Sequence, residues 1–133
     1  MPLTYQYNDN IFCILGLNAQ ENQILIENSD PQDIWIHMNS VPSGHVVIKY
    51  KNFIKLSITD DKPIIEWAAR ICFNNISKKN QNKSIYNNKY FDVVVTQINN
   101  LIYRDDQNLH LEQGEVEFKS ESKKKLFTFK ISL

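Results

Sequence analysis

The chain has 133 residues, 42% hydrophobic and 23% charged, enough for one buried core and too few for two. Fifteen basic residues balance fifteen acidic ones, so net charge offers no argument for a polyanionic partner, and the composition is globular rather than disordered. No apolar run reaches the length of a membrane span and no basic-then-apolar leader opens the chain, so a soluble, cytoplasmic protein without membrane contact is expected.

Taken in order, Ile11 to Leu17 is an apolar run with Gly16 near its end, and it predicts the first core strand. Asn18 precedes Glu21 by three residues, with Ile24 and Leu25 beyond. That is a capping box with Asn in place of Ser or Thr, and a short helix over 19–28 follows. Asp30-Pro31 stops it. Residues 33–38 and 45–50 read as two strands joined by a turn. Ile34 and Ile36 alternate with Trp35 and His37, while Val46-Val47-Ile48 is a β-branched run suited to a strand buried on both faces. Pro42-Ser43-Gly44 supplies the turn chemistry between them.

Residues 53–58 alternate apolar and polar, as a further strand or an irregular edge would. Asp60-Asp61-Lys62-Pro63 opens a second helix, with Ile64, Ile65, Trp67, Ala68, Ile71, Cys72 and Ile76 marking its apolar face to Ser77. Asn74 to Tyr90 is rich in Asn and Lys and predicts a surface loop. Residues 90–98 form a strong strand that Leu101 to Arg104 continues. Residues 115–119 and 126–131 both alternate and predict a C-terminal hairpin, its turn carrying Lys123-Lys124-Lys125. The expected architecture is a single α+β domain over 1–133, a mainly antiparallel sheet with two helices packed on it. Cys13 and Cys72 are unclustered among apolar neighbours, as buried free thiols are.

The chemistry concentrates in 33–49. If the two strands pair, His37 and His45 converge with Asp33, Trp35 and Ser43 at one rim of the sheet. Two histidines and an aspartate suggest a metal site, but no third ligand of fixed spacing accompanies them. Ser43, His45 and Asp33 are the residue types of a triad without the elbow that presents a nucleophile, so no catalytic residue is assigned. Gly16-Leu17-Asn18 opens a helix after a strand, where an anion can dock on free amides. Trp35 reads equally as a core aromatic or a stacking platform. The histidines read equally as sugar-edge contacts or as structural residues that satisfy their ring nitrogens on backbone groups or on Asp33 and organise the turn 39–44. Between Arg70 and Phe91 there is no acid, while Lys78, Lys79, Lys83 and Lys89 fall in that interval. Such a segment is either a solvated loop or a phosphate-binding one.

These motifs together resemble the NFACT-R domain, the module near the C-terminus of ribosome-quality-control NFACT proteins, which also occurs alone or leading a coiled coil. Gly16, Asn18 and Asn22 match the family's Gly-basic-Asn motif with its second Asn, and Asp33, Trp35 and His37 match Asp-x-Trp-x-His. Ser43, Gly44, His45 and Val46 resemble the turn that leads into a Val-rich strand, with Ser and Gly in reversed order. Residues 65–69 resemble the family's Ala-rich helix and 91–95 its following strand. The resemblance spans 11–119. Leu17 stands where the family carries a basic residue, so it predicts no phosphate contact there.

What the resemblance implies is a non-catalytic RNA-binding module for tRNA or ribosome-associated RNA, without cofactor or metal. A separate protein partner would supply the missing NFACT domains. The candidate RNA contacts are Asn18, Asn22, Asp33, Trp35, His37, Ser43, His45, Lys49, Lys78, Lys79 and Lys83. An RNA-modifying enzyme and an adaptor docking a translation factor are the alternatives.

Overall fold

The structure, a computed structural model, describes residues 2–39, 41–51, 53–76 and 89–133. Eight strands and two helices follow in the order β1 (Leu3–Asn8), β2 (Ile11–Gly16), α1 (Ala19–Glu27), β3 (Ile34–Met38), β4 (His45–Tyr50), α2 (Lys62–Asn74), β5 (Tyr90–Gln97), β6 (Leu101–Tyr103), β7 (Val116–Phe118) and β8 (Phe127–Ser132). Six of them make one sheet in the order β1-β2-β4-β3-β5-β8, and β6 and β7 form a separate ribbon. Every pairing is antiparallel. The α+β reading of the sequence holds.

The sheet is covered on both faces, and the two faces differ in chemistry. On one face α2 lays Ile65, Ala68, Ala69, Cys72 and Phe73 against Cys13, Leu15, Ile34, Ile36, Val46, Ile48, Val93 and Val95, the larger apolar core. Its helix begins at Asp61 with Pro63 in the first turn, as acids and proline at a helix start predict. The Asp61 carboxylate, however, accepts from the Ser57 amide (2.7 Å) rather than capping the helix. The helix stops at Asn74, short of the expected Ser77, which lies outside the described residues; Ile76 is still buried. On the other face α1 and the β6–β7 ribbon cover a smaller cluster of Leu25, Trp35, Val47, Ile98 and Leu101. Val47 on one face and Val46 and Ile48 on the other are all fully buried, which is why β4 reads as an unbroken β-branched run.

The structure decides two segments that the sequence left open and overturns one predicted hairpin. Residues 3–8, which the sequence reading left unassigned, form edge strand β1, exposed along most of its length and so without a buried alternation to betray it. Residues 53–58 are irregular, turning on an Ile54 N–H to Lys51 carbonyl bond (2.9 Å), and only Leu56 and Ile58 reach the core. The C-terminal hairpin does not form. β7 pairs with β6 and β8 with β5, because the segment between them is a six-residue 3-10 turn, Ser120–Lys125, fastened to the end of β5. Buried Asn100 holds it: its amide nitrogen donates to Thr96 Oγ1 (2.9 Å), its oxygen accepts from Ser122 Oγ (2.8 Å), and its carbonyl accepts from the Lys119 amide (3.0 Å). Thr96 Oγ1 in turn donates to the Lys125 carbonyl (2.9 Å). The lysines predicted for a hairpin turn therefore lie in a strap that crosses from the ribbon to the sheet edge.

Removing the hub of this network leaves the buried Ser122 hydroxyl without its acceptor and takes one donor from Thr96 Oγ1, which keeps its own bond to the Lys125 carbonyl. Asn100→Ala is expected to cost about 2 kcal/mol, read as a lowered urea midpoint with an unchanged slope. Stability like that of wild type would show that the strap is held by other contacts.

Candidate nucleic-acid interface

The register of β3 on β4 assembles the site. Trp35 lies opposite Val47, and two residues further along the same face His37 faces His45. Ring centroids are 5.2 Å apart between the histidines, in T-shaped contact, and 5.7 and 5.5 Å from Trp35 to His37 and His45. On the flanking strands Gly16 pairs with His45 and Val94 with His37, so the floor is continuous across β2, β4, β3 and β5.

Helix α1 is mounted above this floor by Asn22. A Cβ on Gly16 would lie 2.2 Å from Asn22 Oδ1. In its absence that oxygen reaches the His45 amide and accepts from it (3.1 Å). The helix start is fixed by the predicted capping box: Asn18 Oδ1 accepts from the Glu21 amide (2.9 Å), and Glu21 Oε1 accepts from the Leu17 amide (2.9 Å). That second bond lowers the Glu21 carboxyl below its usual range. Gln23, one residue past Asn22, clamps the distant 104–115 segment, accepting from the Gly114 amide and donating to the Arg104 carbonyl, both at 2.9 Å. Gly114 takes a left-handed φ of 81° against the backbone of Ala19, which an L side chain there would strain.

The result is two adjoining cavities that share His37, Pro42, His45, Gly114 and Glu115. One, of about 420 Å³, is polar, with Asn18, Ala19, Asn22, Ser43, Asn75 and Gln113 around it. The other, of about 490 Å³, is lined by Trp35, Met38, Val41, Val94, Val116 and Phe118 and is mainly apolar. Phe118 stands edge-on to Trp35 at 5.8 Å.

Burial sets the electrostatics. His45 is 4% exposed, and desolvation, with the neighbouring His37 as the lesser cause, lowers its pKa from 6.5 to about 3. His37 is also lowered by desolvation, against the opposing pull of the Met38 and Ser43 carbonyls. Its Nδ1 lies 2.6 Å from the Met38 carbonyl, which fixes Nδ1 as the protonated nitrogen of the neutral ring. Both imidazoles are thus uncharged near neutral pH. Among the described residues two buried side-chain nitrogens have no partner: Trp35 Nε1 and His45 Nδ1. His37 meets the expectation that ring nitrogens are satisfied on backbone groups. His45 does not, and neither histidine meets Asp33.

Asp33 and Lys49 stand apart from the histidines. They form a cross-strand ion pair at the other end of β3, about 13 Å along the strand from His37, with Asp33 also accepting from the Asp30 amide (2.8 Å). The expected convergence of Asp33 on the histidine rim fails because the strand carries it to the opposite end. Ser43 is at the rim, but its hydroxyl accepts from the Met38 amide (3.2 Å), donates to the Gly44 carbonyl (3.0 Å) and touches Cys72 Sγ (3.4 Å). It closes the turn and presents no free nucleophile, so the residue types of a triad are not assembled. Among the described residues no three His, Cys, Asp or Glu side chains are grouped to hold a metal. Cys13 and Cys72 are buried free thiols, their pKa values raised by desolvation to about 12 and about 11. Lys78, Lys79 and Lys83 lie outside the described residues, beyond Asn75 at the rim of the polar cavity. Sequence reasoning missed the second wall altogether: Gln113, Gly114, Glu115 and Phe118 come from a segment some seventy residues away, and only the Gln-Gly pair hinted at a turn there.

A family model described as the NFACT protein RNA binding domain matches residues 1–120. A coiled-coil domain-containing protein 25 homolog from Dictyostelium discoideum is 36% identical over 39 residues, 29% of this chain and 19% of that protein's length. The C-terminal part of the fibronectin/fibrinogen-binding protein from Streptococcus suis superposes with a TM-score of 0.65 at 19% identity, over 98% of this chain and 45% of that one. The second likeness is one of fold.

The buried histidines make stability depend on pH with a definite sign. The unfolded chain takes a proton on His45 near its ordinary 6.5, whereas the folded chain resists protonation down to about 3. Stability is therefore complete above about pH 6.5 and falls as the pH drops toward 3, by up to about 1.4 kcal/mol per unit from this one group. His45→Gln should flatten the dependence over that window in urea unfolding at graded pH. Parallel wild-type and variant profiles would mean that His45 titrates normally.

Proposed function

This chain belongs to the family of NFACT protein RNA-binding domains, and from that premise we propose that it binds unpaired segments of tRNA or ribosome-associated RNA at the twin cavities, without catalysis. The observation that carries the reading is the junction itself. A polar cavity at the start of α1 and an aromatic-lined cavity over Trp35 meet at two neutral histidines. Unpaired RNA offers what such a surface accepts: splayed bases for aromatic contact, and sugar and phosphate groups for amides and side-chain donors. Asn18, Asn22, Trp35, His37 and His45 are the contacts assigned to this surface, with Ser43 holding its turn. Asp33 and Lys49, at the far end of β3, serve stability instead.

Asn75 of the polar cavity lies within the acid-free interval, and Lys78, Lys79 and Lys83, which follow it in the chain, are assigned to phosphates by their charge. Absence of catalysis is supported by Ser43, whose hydroxyl is engaged on backbone, and by the distance of Asp33 from His45. The module acts in the cytoplasm, in translation or ribosome quality control, beside a protein that supplies the remaining NFACT domains.

Three phosphate contacts to single-stranded RNA predict that raising salt fourfold weakens binding about 20-fold. A labelled tRNA pool titrated at low and high salt should show that slope. Changing Lys78, Lys79 and Lys83 together to Ala should lower it by about two and weaken all sequences alike, while Lys49→Met leaves it unchanged. Salt-independent affinity, or no tRNA binding at micromolar protein, would remove this reading. Turnover of the tRNA lost in a folded His45→Ala variant would replace it with an enzyme.

A further inference from the structure

The two cavities differ in the way the parts of one nucleotide differ. The apolar one is lined by Trp35, Val94 and Phe118, and the indole Nε1 of Trp35 is buried with no protein acceptor among the described residues. The polar one opens on the start of α1, where Asn18 and Ala19 line it. Their amides precede the first intrahelical bond, Asn22 N–H to the Asn18 carbonyl (2.9 Å), and belong to the group of helix-start N–H donors that favour an anion. His45, whose Nδ1 is the second partnerless buried nitrogen, lies in the wall between them. Glu115 is in the same wall. One of its carboxylate oxygens takes the Glu112 amide (3.0 Å), and among the described residues no donor reaches the other.

Resting on the RNA-binding reading, we propose that the twin cavities form a seat for a single unpaired ribonucleotide. Its base enters the Trp35 slot, its phosphate lies on the first turn of α1, and its ribose spans the shared wall with the 2′-hydroxyl on Glu115. The assignment follows from matching each group to the chemistry it needs. A base has broad apolar faces, which suit a cavity walled by Trp35, Val94 and Phe118. A phosphate needs donors and positive potential, and of the two cavities only the polar one offers a helix start. A carboxylate at that phosphate would repel it, but at the wall between it accepts from a hydroxyl, and the 2′-hydroxyl is the group that separates RNA from DNA. The volumes of about 420 and 490 Å³ are ample for one nucleotide divided between them.

The test uses the intact, isotope-labelled chain titrated with AMP, UMP, deoxy-AMP, adenosine and inorganic phosphate, followed by amide and indole NMR. Trp67, on α2 against Tyr7, is an internal control. AMP and UMP should shift the Trp35 indole together with the Asn18 and Ala19 amides, leaving Trp67 still, and phosphate should shift the two amides alone. Deoxy-AMP should bind about tenfold more weakly, the worth of one hydrogen bond, and Glu115→Gln should shrink that gap. Ala19→Pro removes one amide at a position where helices accept proline; it should weaken AMP about tenfold and leave adenosine unchanged. Because Glu115 is exposed and proline suits the first helical position, neither variant threatens the fold. Nucleotides that move Trp67 or scattered lysines instead, or that leave Trp35, Asn18 and Ala19 unmoved at millimolar concentration, overturn the seat. If tRNA still binds with a steep salt slope in that case, the seat alone is refuted; if tRNA binding is absent too, both readings fall.

Discussion

The side-chain oxygen of Asn22 accepts from the His45 amide across the surface of Gly16, a reach open only where the strand residue beneath has no Cβ. This contact joins β2, α1 and β4 at one point, and the rest of the site inherits its position. It sets the height of α1 above the sheet and opens the start of that helix onto His37 and His45. The next residue, Gln23, then carries the 104–115 segment, so the second wall of the cavities is hung from the same turn of helix. Gly44 repeats the constraint from the other strand, since a Cβ there would lie 2.2 Å from the Gly16 carbonyl. The chain has three glycines, and all of them stand at this junction. Backbone proximity, rather than any single catalytic group, is what the sequence protects here.

The two faces of the sheet differ in what their burial costs. Under α2 the core is apolar and fully buried, and its free energy comes from removing that surface from water. Under α1 and the ribbon, two imidazoles and an indole are desolvated, and two of their nitrogens are unpaired at about 1–3 kcal/mol each. Aromatic contacts among Trp35, His37, His45 and Phe118 offset part of that cost. Among the described residues, the buried side-chain nitrogens without a partner both belong to this face of the sheet. Burial also keeps both rings neutral, so neither imidazole brings a positive charge to this surface.

The local rules of sequence reading succeeded wherever a feature was settled within a few residues. The capping box at Asn18 and Glu21, the turn before His45, and the double-sided burial of Val46 to Ile48 each depend on near neighbours, and each was readable. The same rules failed on the C-terminal hairpin, although both of its segments alternate cleanly. Alternation states that a strand has two faces and is silent on which strand pairs with it. Buried Asn100, more than twenty residues from Ser122, decided the partner through hydrogen bonds that no periodicity records.

By itself, then, the sequence determined the α+β class, the helix starts, the central strand pair and the family motifs over 11–119, because these follow from short-range spacing and from residues with narrow conformational uses. Tertiary structure alone decided which of the marked residues share a site. Register placed Trp35, His37 and His45 on one face and carried Asp33 and Lys49 to the far end of the same strands as an ion pair. Chain reversal brought Gly114, Glu115 and Phe118 to within reach of residues some seventy positions earlier, closing the cavities with a wall that the primary sequence holds in another place. Spacing along a chain fixes which residues can be neighbours on an element, and only the packing of elements against one another fixes what stands across from them.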